Sequence, residues 1–221
     1  MPATPLPTSD RLLAAAAELF ARQGFRATSI RDIADRAEAN VASGHYHYGS
    51  KEGLYLEVLR GQFVAMRARL AARGIPQAGP ELRRASRRRL IAVLEARVLA
   101  LLETLLGPPP SPQGALMQRE MCDPSSALPI IAREFIRPEE EAMEALLGAL
   151  APGTPRETLR LASFSIFGQV LFYRFNMPLI LLLLGRREYP RGLPRKLARH
   201  ITRFSLAGLG AVGRRGRSGA R

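Results

Sequence analysis

Between positions 40 and 51 the chain sets the hydrogen-bonding side chains Asn40, Ser43, His45, Tyr46, His47 and Lys51 around the small apolar Val41, Ala42 and Gly44. Asn and His can bond base edges or phosphates, and small apolar side chains let a helix approach closely and touch a thymine methyl. A core helix would be greasier. Catalytic signals are missing: there is no GxxxxGK[ST] loop, no HExxH, and no motif that pairs a nucleophile with a base. No catalytic residues and no enzymatic activity are expected. The only His and Cys residues are His45, His47, His200 and Cys122. His45 and His47 are two apart, which on a helix points them in different directions, so no metal site is expected, and no cofactor.

The elements that must position these residues read as helices throughout. A first helix begins near Ser9, whose hydroxyl can cap it, and carries Leu12, Leu13, Ala16, Leu19 and Phe20 on one stripe until Gly24 stops it. Thr28 can cap a second helix with Ile30, Ile33, Ala34 and Ala37 at helical spacing. After a turn at 36–39, a third opens at Asn40, so residues 27–53 form two short helices around a tight turn, followed at once by another helix start. That arrangement is a DNA reader's. A fourth helix, with Tyr55, Leu59, Phe63, Met66 and Leu70 at helical spacing, runs from Ser50 to about position 73 and bridges to the rest.

Beyond 79 the helical stretches are 81–106, 115–122, 127–150, 155–176 and 193–212, separated by Pro/Gly clusters at 107–114, 123–126, 151–155 and 185–194. Pro138 should kink or divide the helix that contains it, because proline lacks the amide donor and clashes with the preceding turn. The fold class is all-α: an N-terminal three-helix DNA-binding domain at 9–55, preceded by a flexible 1–8, and a larger helical domain at 75–212, with 213–221 a solvated basic tail. The apolar run at 175–185 is about half of the roughly 20 residues a bilayer span needs, so it reads as a buried segment and no membrane partner is expected.

A 47% apolar content is enough for a proper core, and the formal charge of +14 would draw the protein to polyanions. Nearly all of that charge is arginine, with Lys51 and Lys196 the only lysines. Such usage also follows from GC-rich coding, so the motif rather than the charge carries the DNA-binding claim. A single cysteine permits no intrachain disulfide and suits a reducing cytoplasm. The short, proline-rich start is not expected to act as a signal peptide.

Residues 9–60 resemble the DNA-binding domain of TetR-family transcriptional regulators, through LLAAAAELFARQGFRATSIRDIADRA and YHYGSKEGLYLEVL. The segment NVASGHYHYGSKEGLY is similar to a CecR-like subgroup. The resemblance implies that Thr28 and Ser29 touch the phosphate backbone; that Asn40, Val41, Ala42, Ser43 and His45 face the DNA from the start of the recognition helix; and that Tyr46, His47 and Lys51 reach flanking phosphates. Two positions depart from the family. Glu38 stands where a glycine usually makes the turn, at a cost of roughly 1 kcal/mol if its conformation is left-handed. Gly44 stands where Leu or Ile usually anchors the helix, and a loosely held recognition helix is expected.

The remainder would be the ligand-binding and dimerisation domain of such regulators. Phe164, Phe167, Leu171 and Phe175 fall on one stripe, with Gln169, Phe172, Tyr173 and Arg174 near it. Polar groups converging on an aromatic-lined cavity make a small-ligand site, to which Met117 and Met121 could contribute, although core packing is the commoner role for each of these side chains. The run 179–184 and the final helix, with Leu197, Ile201, Phe204, Leu206 and Leu209, are candidate dimer surfaces or core. The expected partners are double-stranded operator DNA, a second copy of the chain and a small-molecule effector. The expected function is a cytoplasmic homodimeric repressor released from a palindromic operator by that effector. The alternatives are activation, repression without an effector, and nonspecific DNA binding, for which the arginines at 83–89 argue.

Overall fold

In the computed structural model, residues 6–75, 82, 84–106 and 112–218 are described, and no strand occurs among them. The chain divides into two compact units, one made of Met1–Ala65 with Pro109–Phe135, the other of Met66–Pro108 with Ile136–Arg221.

In the first unit, α1 (Thr8–Ala27), α2 (Ile30–Arg36) and α3 (Val41–Tyr48) are followed by the start of α4 (Lys51–Ala72). Pro7 rather than Ser9 stands at the N-cap of α1, without a side-chain bond, and the Ser9 hydroxyl turns to Asp10. Gly24, at φ 86° and ψ 170°, breaks the helical path as its sequence position predicts, and lets Phe25 fold onto the core. Leu12, Ala16, Phe20, Ile33, Leu54, Tyr55 and Leu59 fill the interior, where the Phe20 and Tyr55 rings meet edge to face at 4.9 Å. Helix α6 (Pro112–Cys122) packs on α1, and its Leu116 enters the same core. The sequence reading places this segment in the C-terminal domain. Its packing follows from long-range pairs that local periodicity cannot reveal: Tyr55 with Glu120, and Arg119 with the carbonyls of Ala21 and Arg22.

The stretch expected as one helix at 127–150 is three pieces: α7 (Leu128–Ile131), a π-helical turn (Ala132–Ile136) and α8 (Arg137–Leu150). Pro138 divides it. Without an amide hydrogen at 138, the carbonyl one turn upstream loses its ordinary partner, and the wider π turn lies where that loss falls.

In the second unit, α5 (Arg87–Leu106) packs against α11 (Leu193–Ser218), while α9 (Arg156–Phe175) packs on α8, α5 and α11. Leu94, Val98, Leu146, Ile166, Val170 and Ile201 are buried there. Helix α11 continues through Ser218, so the backbone of the expected basic tail is helical from 213 to 218. A short α10 (Met177–Leu183) carries the apolar run. It is not a buried segment within the chain: Leu182 and Leu183 are each 77% exposed. No single helix among the described residues is long and apolar enough to cross a membrane.

Candidate nucleic-acid interface

Helix α3 is built to present one side outward. Asn40 caps it, its Oδ1 accepting the Ala42 amide at 2.9 Å, and its Nδ2 donors stay available. Val41, Ala42, His45 and Tyr46 lie on one helical face and are all exposed, Tyr46 at 85%. Gly44 and Tyr48, four apart, face inward, with Ser43 half-buried beside them. His45 Nδ1 lies 3.2 Å from the Gly49 carbonyl oxygen. The carbonyl can only accept, so Nδ1 carries a hydrogen and donates there. His47 is exposed, its ring against Tyr46 at 5.1 Å.

The supports of α3 lie partly outside the residues singled out by sequence. Tyr48 is half-buried, and its hydroxyl donates to the Ser9 carbonyl at 2.8 Å, which ties the end of α3 to the start of α1; burial raises its pKa. This bond anchors the end of α3 on α1, and the closing aromatic of the YHY run was its only local signal. Gly53 is also required: a Cβ there would fall 2.2 Å from the Tyr48 carbonyl oxygen, so the backbone of α4 approaches α3 only without one. Ser50 caps α4, its Oγ accepting the Gly53 amide.

The turn between α2 and α3 has Glu38 at φ 51°, the left-handed conformation expected from its place in the sequence. Arg11 holds this turn from α1, its Nε donating to the Ala37 carbonyl at 3.1 Å and its Nη2 to the Glu38 carbonyl at 3.2 Å. A contact 26 residues away leaves no local trace in the sequence. At the start of α2 the cap is Ser29, not Thr28: Ser29 Oγ accepts the Asp32 amide, and Asp32 accepts the Ser29 amide in return. Those bonds hold the Asp32 carboxyl below its ordinary value. Ser29 is exposed, whereas Thr28 is buried and its hydroxyl donates to the Gly24 carbonyl at 2.8 Å.

Lys51 is drawn inward as well. Its Nζ donates to the carbonyls of Phe25 and Thr28, each at 3.1 Å, and lies 4.4 Å from the centre of the Phe25 ring. It clasps the loop between α1 and α2 and keeps one ammonium hydrogen for another acceptor. Arg31, exposed on α2 two residues from Ser29, adds a cation on this side that the sequence reading did not select.

The eight residues considered for a small ligand are not gathered at one place. Met117 packs on the first unit's core and Met121 is exposed on α6. On α9 the buried stripe is Leu159, Ser163, Ile166, Val170 and Arg174, one step off the expected Phe stripe, so Phe164 and Phe172 face outward. Tyr173 is half-buried and Gln169 bonds the Ser165 carbonyl and the Ser205 hydroxyl. Burial lowers the Arg174 pKa. Phe167 lines a cavity of about 20 Å³ with Met66, Leu70, Arg97, Leu101, Glu139 and Met143. Arg97, 3% exposed, lies 3.7 Å from Glu139, which also accepts from Arg67 Nε at 2.9 Å. Of the candidate dimer residues on α11, Leu197, Ile201 and Leu209 are core and Phe204 is exposed.

Comparison with known proteins gives the family of the chain. Residues 12–58 match the family described as bacterial regulatory proteins, tetR family, and residues 86–209 match the C-terminal domain of the HTH-type transcriptional dual regulator CecR. Over 185 residues the chain is 29% identical to the CecR of Shigella flexneri, covering 79% of each. It is 45% identical to the transcriptional repressor KstR2 of Rhodococcus jostii over 67 residues, which is 26% of this chain and a third (33%) of that protein. Among solved structures, the fatty acid degradation regulator FadR from Bacillus halodurans has the same fold at a TM-score of 0.67 and 17% identity, covering 94% of this chain and 98% of that one. AmtR of Mycobacterium smegmatis has it at 0.60 and 22%, covering 100% and 99%.

Proposed function

Because the chain belongs to the TetR family of transcriptional regulators, DNA-binding proteins rather than enzymes, and is CecR-like in its C-terminal domain, we propose that it is a cytoplasmic homodimeric repressor. It reads a near-palindromic operator with α3 and leaves it when a small molecule binds the C-terminal unit. One observation carries the reading: α3 holds Val41, Ala42, His45 and Tyr46 on one exposed face while Gly44 and Tyr48 face inward, and an unpaired short helix so displayed fits a major groove. The contacts proposed are base edges for Asn40, Val41, Ala42, Ser43 and His45, and phosphates for Ser29, Tyr46, His47 and the remaining donor of Lys51. Thr28 contributes through the loop it braces.

A single short helix buries too little surface to be selective, so two copies are required. The exposed apolar side chains Phe172, Leu182, Leu183 and Phe204, on α9, α10 and α11, support a self-associating face on the second unit. A ligand-responsive unit is supported by the Arg97–Glu139–Arg67 group in an otherwise apolar interior, since buried charge is costly unless paired and marks places where polar recognition is retained. The cavity beside it is of water size, so an effector enters by displacing Met66 or Met143. The name of the matching C-terminal family, a dual regulator, favours a second reading in which the same protein also activates. A fragment of the DNA upstream of its own gene tests the proposal. The protein should retard that fragment at moderate salt with random DNA competing poorly, and equal competition would reduce it to a nonspecific binder.

A further inference from the structure

We propose that a second small-molecule site, for an organic cation with an apolar body, lies inside the DNA-binding unit between α1, α4 and α6. Asp10, Leu13, Ala14 and Ala17 follow one another at helical spacing along one face of α1, Val58, Gly61 and Gln62 do so on α4, and Leu116 of α6 closes the end. Together they line a cleft of about 270 Å³. That is near the lower end of small-ligand sites, about 300 Å³.

Two features select the occupant. Gln62 is only 9% exposed, and its amide makes no hydrogen bond with any described residue while it lines the cleft. An amide that has no partner in the protein and stands in the wall of a cleft offers a ligand both a donor and an acceptor. Asp10 is the only charged lining residue, in a chain whose net charge is +14. Its carboxylate has one side-chain partner, the Ser9 hydroxyl at 3.3 Å. The cleft therefore attracts a cation that the rest of the protein repels. An ammonium on Asp10, an aromatic or aliphatic body over Leu13, Ala17, Val58 and Leu116, and a polar atom on Gln62 would use the charged, apolar and amide parts of the lining. This site is independent of the effector proposed for the C-terminal unit.

Phenethylamine, protonated at neutral pH, is a suitable probe, with 3-phenylpropionate as its anionic match, titrated into the full-length protein by calorimetry. Phenethylamine should bind more tightly than 3-phenylpropionate. Asp10→Asn should weaken it about fivefold, as for an exposed ion pair. Gly61→Phe should abolish binding by filling the cleft, since a Cβ at 61 meets nothing within 4 Å; Ala17→Leu serves if that variant melts early. No heat with phenethylamine, equal affinity for the two probes, or binding that survives both Asp10→Asn and the filled cleft would overturn the inference.

Discussion

The Tyr55 hydroxyl donates a 2.6 Å hydrogen bond to Glu120 Oε2 across 65 residues of sequence. It fixes α4, which leaves the DNA-reading helices, to α6. Glu120 is 1% exposed and accepts also from the Ser125 amide and hydroxyl, so the carboxylate is held by three donors. Tyr55→Phe removes the only one from α4. The first unit should lose about 1.5–3 kcal/mol, the range for hydrogen bonds to charged groups, read as a lower midpoint in urea unfolding.

The same pair sets a dependence on alkaline pH. Burial and the Glu120 carboxylate push the Tyr55 pKa far above its ordinary 10.0. The unfolded chain therefore releases this proton near pH 10 and the folded chain does not. Stability from Tyr55 is whole below pH 10 and falls above it, by up to about 1.4 kcal/mol per pH unit. Unfolding midpoints at about pH 9 and about pH 11 should converge between wild type and Tyr55→Phe as pH rises.

Glu38 has its left-handed backbone fixed by Arg11 and by its own amide bond to the Asp35 carbonyl. Glu38→Gly keeps both bonds and removes the steric cost, so the protein should gain about 1 kcal/mol. A higher melting temperature with unchanged operator affinity checks this.

Gly44 leaves room for a methyl group, since a Cβ would meet only Ile30 Cγ2, at an ordinary 3.5 Å. Gly44→Ala should stabilise α3 by about 1 kcal/mol through propensity and tighten operator binding severalfold by ordering the helix in advance. Slower amide exchange across residues 41–48 would be the direct readout.

The apolar face predicts a concentration-dependent dimer. Leu182→Glu with Leu183→Glu places two charges on side chains that touch little within the chain, so the fold should persist while light scattering reports a monomer. Operator retardation should fall with it.

The three N-terminal helices and the start of α4 were legible because periodicity, the helix starts at Asn40 and Ser50, and Gly24 are local signals. What escaped is non-local. Arg11 on the turn, Tyr48 on Ser9, and Tyr55 on Glu120 are meetings of distant positions, which no spacing rule encodes. The same limit explains the placement of residues 112–135 with the N-terminal helices. On α9 the period was right and the phase wrong: large aromatics were assigned inward, but Ser163 and Arg174 are buried while Phe164 and Phe172 are out. An apolar residue facing water inverts the usual rule when an assembly covers it. Among the DNA candidates, Thr28 and Lys51 also brace the chain between α1 and α2, a role that residue type alone does not reveal, and Lys51 keeps one donor beyond it.

The central claim is that α3, in two copies, reads the DNA. Its most direct test is a hydroxyl-radical footprint on the upstream fragment with wild type and with Tyr46→Ala, a substitution at an 85% exposed side chain that leaves the core intact. The account predicts two symmetric protected patches on one face of the duplex, centred about one helical turn (~34–36 Å) or a whole number of turns apart, that fade together in the variant. Uniform protection that ignores sequence, or a wild-type pattern that Tyr46→Ala leaves unchanged, would contradict it.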